Sequence, residues 1–212
     1  MALYLDSAQL EDAKIAITWG WVTGITTNPT LLAKSPLSPA DTLSKLAKIC
    51  PRELYYQLTT SDFQGMVTEA RKAKEIIGEK LVLKIPATSN GFQTVAHLSP
   101  DIPCAVTAIY SPAQAAVAKE AGAKYAIAYV NRATRLLGDG IRLVADMADI
   151  LQDSNTKILA ASIKSPEEAF KSLQAGAYHL TLPLPQLQAL TQNSHSEATV
   201  NEFAEKGKGI LD

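Results

Sequence analysis

The sequence predicts a (β/α)₈ barrel, a single domain over residues 1–212 closed by a C-terminal helix at about 196–206. Three observations predict it. Eight short β-branched or apolar runs alternate with longer stretches of helical spacing along the whole chain. The repeat is about 26 residues, which fills the chain near the lower limit for a closed barrel. The same punctuation recurs, with Ser-Pro opening segments at Ser111-Pro112 and Ser165-Pro166, and "EAGAKY" and "QAGAYH" closing them. A doubly wound open sheet is the competing architecture, but it should carry a Gly-rich loop after its first strand, and "YLDSAQLEDA" has none.

Taken in order, the strands are expected at 2–6, 23–27, 53–59, 80–86, 102–110, 124–130, 156–162 and 178–184. Between them "SDFQGMVTEARKAKEII", "SPAQAAVAKEAGA", "DGIRLVADMADIL" and "SPEEAFKSLQAGA" place apolar residues three and four apart, the spacing of one helix face. Serine before proline supplies the cap and first position of a helix. Gly122 and Gly176 stand where a left-handed residue ends one. The tail "SEATVNEFAEKGKGILD" reads as a further helix, either a barrel cap or a surface for a neighbouring subunit.

Composition excludes several partners. With 20 basic and 21 acidic residues the formal net charge is −1, which favours neither nucleic acid nor an anionic membrane. Cys50 and Cys104 lie far apart without metal-ligand spacing, so neither a disulfide nor a zinc site is expected. No basic and apolar leader and no long apolar run is visible, so a cytoplasmic location is expected.

A barrel gathers its chemistry at the C-terminal strand ends. Here those ends carry Asp6, Thr26, Asn28, Gln57, Lys84, Thr107, Tyr129, Asn131, Arg132 and Ser162, a polar group on seven of the strands. Each has a plainer reading. Asp6 could cap the helix starting near Gln9, Asn28 could shape the turn before Pro29, and Ser162 could start a helix. Together they argue for a site, because an unpaired polar group buried in a core costs about 1–3 kcal/mol.

Lys84, inside "LVLKIP", decides the reaction class. It could snorkel from an edge strand. Alternatively it is a nucleophile, and a lysine at its ordinary pKa is neutral at pH 7 in only about one molecule in 2,500, so such a role needs desolvation or a nearby cation. A buried amine attacks a ketone to form a Schiff base, whose iminium draws electrons from the adjacent carbon–carbon bond as it breaks. Lys80, four residues earlier, is expected to be an ordinary surface lysine.

"YLDSAQLEDAK", "GITTNPTLLAK", "LVLKIPAT", "VTAIYSPAQAAVAKEAGAKYAIAYVNR" and "ILAASIKSPEEAFKSLQAGAYHLTLPL" together resemble the small transaldolase family, and more narrowly its fructose 6-phosphate aldolase branch. The resemblance implies a metal-free class I aldolase or transaldolase of the pentose phosphate pathway, acting on sugar phosphates and dihydroxyacetone without a cofactor, and assembled as a homo-oligomer, pentamer or decamer. It implies Lys84 as the Schiff-base lysine and Asp6 as the carboxylate that orients hydroxyls and assists proton movement. Thr26 and Asn28 would hold substrate hydroxyls and a water, with Thr107 beside that water. Arg132 and Ser162 would bind the phosphate, Ser162 at a helix N-terminus. Gln57 and Tyr129 match the aldolase branch, where a tyrosine hydroxyl is the acid/base in place of a glutamate. Ala105 and Val106 before Thr107, the loop "ATRLLGDG" and His179 depart from the pattern; His179 is expected to be a hydrogen-bonded core residue. A barrel that only binds sugar phosphate would lack the lysine, and a carboxylate-dependent isomerase would want a glutamate at a strand end.

Overall fold

In the computed structural model, which describes residues 1–211, eight parallel strands close on themselves in sequence order, β1 pairing with both β2 and β8. They are β1 (Ala2–Asp6), β2 (Val22–Thr26), β3 (Glu53–Gln57), β4 (Leu81–Pro86), β5 (Cys104–Ile109), β6 (Tyr125–Tyr129), β7 (Lys157–Ala161) and β8 (His179–Leu182). Helices α1 (Leu10–Thr18), α2 (Pro29–Leu32), α3 (Pro39–Ile49), α4 (Phe63–Ile77), α5 (Ser89–Leu98), α6 (Pro112–Glu120), α7 (Val130–Leu137), α8 (Gly140–Ile150), α9 (Pro166–Gln174), α10 (Leu184–Ala189) and α11 (Ser194–Lys206) follow the strands. Among the described residues no helix is long and apolar enough to cross a membrane.

The expected punctuation is present. Ser111 Oγ accepts from Gln114 N and Ser165 Oγ from Glu168 N, each with proline next in the helix. Gly122 and Gly176 end their helices at φ +82° and +102°, a conformation that costs a side-chain-bearing residue about 1–2 kcal/mol. Asp6 caps nothing: the residue before α1 is Gln9, without a side-chain cap. Ser162 starts no helix either, because Ser165 takes that place.

Alternate residues of each strand divide two cores. One set, including Leu5, Ile25, Leu54, Leu83 and Ile85, packs against the helices. The other, including Tyr4, Tyr55, Val82, Tyr125, Ile127 and Leu159, fills the barrel. Lys84 shares the parity of Val82, so it turns inward while Leu83 and Ile85 turn out. A run that looks uniformly apolar thus serves two surfaces.

The floor of the barrel is polar in an unexpected way. The Glu53 carboxylate accepts from Tyr4 OH (2.6 Å), Tyr55 OH (3.2 Å), Tyr125 OH (2.9 Å) and Lys124 Nζ (2.7 Å). Burial pushes that carboxyl up, but the Lys124 ammonium and the tyrosine hydroxyls outweigh it and hold it below the usual carboxylate range. His179, 9% exposed, lies edge-on to Tyr125 and Tyr178 at 5.4 and 4.8 Å. It is not the hydrogen-bonded residue expected of it, since Nδ1 is buried without a partner. Burial, aided by the positive amino terminus, pushes its ring down from 6.5 to about 4. The unfolded chain therefore takes up a proton below pH 6.5 that the folded chain refuses until about pH 4. Stability is expected to fall as pH drops through that window, and thermal melts of His179→Leu should lose this part of the decline.

Lys80 also departs from expectation. It is half-buried, and its Nζ donates to Ala47 O (2.8 Å) and Cys50 O (2.6 Å), closing the carbonyl end of α3.

Candidate active site

At the C-terminal mouth lies a cavity of about 430 Å³ lined by Asp6, Asn28, Gln57, Lys84, Tyr129, Arg132, Ser162 and Lys164, with Pro29, Thr30, Leu31 and Ala161. Seven of the nine expected site residues meet here. Thr26 and Thr107 do not reach the wall; they are 1% and 0% exposed and lie beneath it.

Lys84 is 3% exposed, and its Nζ donates to Thr27 O at 3.0 Å. That carbonyl is held by its own residue, since Thr27 N and Oγ1 both donate to Tyr55 O, at 3.2 and 2.7 Å. The edge-strand snorkelling reading fails, because β4 is paired on both sides and the amine is enclosed. Gln57 stands opposite Lys84 in register, and its Oε1 is buried without a partner. A buried acceptor left this way costs about 1–3 kcal/mol, and beside a cavity it marks where a donor can be received. The loop after Gln57 is anchored by Glu69, which accepts from Tyr56 OH and from the amides of Thr59 and Thr60.

Asp6 accepts from Thr26 Oγ1 at 2.8 Å, and Thr26 Oγ1 lies 2.6 Å from Thr181 Oγ1. A carboxylate only accepts and a hydroxyl has one proton, so the direction runs from Thr181 to Thr26 to Asp6. Thr181, on the eighth strand, was not among the expected residues. Its parity with the inward His179 was the signal for it. Asn28 caps α2 by accepting from Leu31 N at 2.9 Å, which leaves its amide nitrogen for the cavity.

Tyr129 ends β6, and its hydroxyl accepts from Thr107 Oγ1 at 3.1 Å. Ala108, next to Thr107, has φ +58° where β5 loses register with β6, a bulge of the kind that re-aims a side chain. The Arg132 guanidinium sits 5.1 Å over the Tyr129 ring. Arg132, exposed in the first turn of α7, faces the cavity together with Ser162 and Lys164. Ser162 itself precedes the α9 cap by three residues and is not at the helix N-terminus as expected. Lys164 escaped notice because an exposed lysine in a loop carries no periodic signal; its place two residues past a strand-end serine was the clue. Two cations and a hydroxyl converging on one wall suit a phosphate-sized anion.

The arrangement therefore offers an enclosed amine, a carboxylate held by hydroxyls, a phenol over the same cavity and an anion-binding rim. The family profile described as Transaldolase/Fructose-6-phosphate aldolase matches residues 3–210. A protein named probable transaldolase from Hydrogenobaculum sp. (strain Y04AAS1) is 35% identical over 206 residues, covering 96% of this chain and 94% of its own. One of the same name from Nitrosopumilus maritimus (strain SCM1) is 33% identical over 207 residues, covering 96% and 93%. Two solved structures of a mandelate oxidase superpose with a TM-score of 0.63 at 18% and 20% identity, covering 96% and 97% of this chain and 72% of each of theirs. At that identity the likeness is of fold alone. The enclosed strand-four lysine and the near full-length matches agree, and the chain belongs to the transaldolase/fructose-6-phosphate aldolase family.

Proposed function

We propose that this protein is a Schiff-base aldolase that cleaves or forms fructose 6-phosphate, with dihydroxyacetone and glyceraldehyde 3-phosphate as the partners. The observation that carries the reading is Lys84, enclosed at the barrel mouth with its amine hydrogen-bonded to a fixed carbonyl and a cavity beside it. The Lys84 amine adds to the C2 carbonyl, and loss of water gives the iminium. Tyr129 takes the C4 hydroxyl proton through a water, the C3–C4 bond electrons pass to the iminium, and glyceraldehyde 3-phosphate leaves. The enamine takes that same proton at C3, returned from Tyr129 through the water, and a second water hydrolyses the iminium to release dihydroxyacetone and restore the amine. Asp6, aimed by Thr26, orients the donor hydroxyls, with Asn28 and Gln57 supplying further amide contacts. Arg132, Ser162 and Lys164 hold the phosphate.

Borohydride reduction in the presence of dihydroxyacetone should attach the three-carbon unit at Lys84; labelling elsewhere, or none, sinks the reading. A second reading, transfer of the dihydroxyacetone unit between sugar phosphates, is favoured by the names of the curated relatives, which are probable transaldolases. The enamine is common to both. Release of glyceraldehyde 3-phosphate that depends on added erythrose 4-phosphate marks the transferase, and release without it the aldolase.

The reading extends to assembly as a homo-oligomer. Helix α11 buries none of its residues against the barrel and exposes Val200 and Phe203, a face suited to a second copy of the chain.

A further inference from the structure

Ser165-x-x-Glu168 has the spacing of a capping box, in which the glutamate turns back to the amide of the cap residue. Half of that motif is built, with Ser165 Oγ accepting from Glu168 N at 3.1 Å. The carboxylate goes elsewhere. Its Oε2 accepts from Lys164 N at 2.7 Å and its Oε1 from Asn131 Nδ2 at 2.8 Å.

These donors belong to two different segments at the barrel mouth. Asn131 immediately precedes Arg132 in the first turn of α7, and Lys164 lies two residues past Ser162. A longer backbone contact, Asn131 N to Ser162 O at 3.3 Å, joins the same two segments. Ser162 holds φ +61°, a conformation that a residue other than glycine keeps only when its surroundings impose it. Arg132 is exposed and rests on the Tyr129 ring, so the placement of its fork follows the placement of that first helical turn.

We propose that Glu168 is a positioning residue that sets the spacing between Arg132 and the Ser162–Lys164 corner, and thereby selects a phosphorylated substrate over its unphosphorylated counterpart. The proposal rests on the anion-binding reading of that rim. It acts through geometry and not through charge, since a carboxylate near a bound phosphate repels it and here spends its oxygens on two donors.

The test measures dihydroxyacetone addition to glyceraldehyde 3-phosphate and to glyceraldehyde. Glu168→Ala is expected to raise KM for the phosphorylated acceptor about five- to tenfold, the size of one hydrogen bond's net contribution, with KM for glyceraldehyde and kcat held within about twofold. Glu168→Gln is expected to keep the wild-type preference. The Asn131 amide can turn over to accept from the new NH₂ while the remaining carbonyl still accepts from Lys164 N. An unchanged preference in Glu168→Ala overturns the proposal, and so does a Glu168→Gln enzyme impaired as much as Glu168→Ala. Arg132→Ala separates the two levels. If it too leaves the preference unchanged, the anion site falls and the brace with it; if it abolishes the preference while Glu168→Ala does not, the brace alone falls.

Discussion

Lys84→Met is expected to lower turnover at least about 10⁴-fold and to abolish borohydride-dependent labelling by dihydroxyacetone. A nucleophile that forms the covalent intermediate has no substitute in the cavity. The other lysine that lines the cavity, Lys164, is exposed. Methionine has a similar length and no charge, so it fills the space between Val82 and the cavity without the polar burial that the amine imposes. Relief of the buried amine offsets the Thr27 carbonyl that the change strands, so the variant should melt within about 4 °C of the wild type, which keeps the loss of activity apart from unfolding. Appreciable turnover, or labelling that persists in the variant, would falsify the assignment.

Tyr129→Phe is expected to lower cleavage and addition about 10²- to 10⁴-fold, the usual worth of a positioned acid/base, while labelling at Lys84 continues. The two readouts separate because Schiff-base formation precedes the carbon–carbon step. Removing the phenol also strands the buried Thr107 hydroxyl, which donates to it at 3.1 Å. That should cost about 1 kcal/mol, or about 2–4 °C in a chain of this size. A variant that cleaves at the wild-type rate refutes the role.

The barrel was legible because its signal is repeated. Each strand lies within one residue of its expected limits, apart from two-residue cuts at the C-terminal ends of β3 and β8 and the N-terminal end of β5, where Thr59, Leu184 and Ile102 fall outside the ladder. Those margins reflect loops that stay apolar to pack on the barrel rim. Lys84 was legible because a charge among apolar residues contrasts with its neighbours. Depth along the barrel axis was not: Thr26 and Asp6 both end strands, yet Thr26 is buried below the cavity and Asp6 lines it. The two stand opposite each other in register, and Thr26 is covered because its hydroxyl is turned to Asp6 and Thr181, partners that one segment read alone does not show. Lys80 and His179 were misread for a related reason. The Lys80 amine reached two carbonyls, 33 and 30 residues away in sequence, and the histidine's neighbours include tyrosines from other strands. The second role of Glu168 was hidden by a local motif that fits it well.

The hydroxyl chain from Thr181 through Thr26 to Asp6 spans the seam where the last strand meets the first. Asp6 ends the first strand of the barrel and Thr181 lies on the last. A nascent chain shorter than β8 can carry Lys84, Gln57 and Tyr129 and still lack the group that orients its carboxylate. The aim of the carboxylate thus depends on closure of the ring, and an opening at the β1–β8 seam disturbs it while β4 stays paired on both sides.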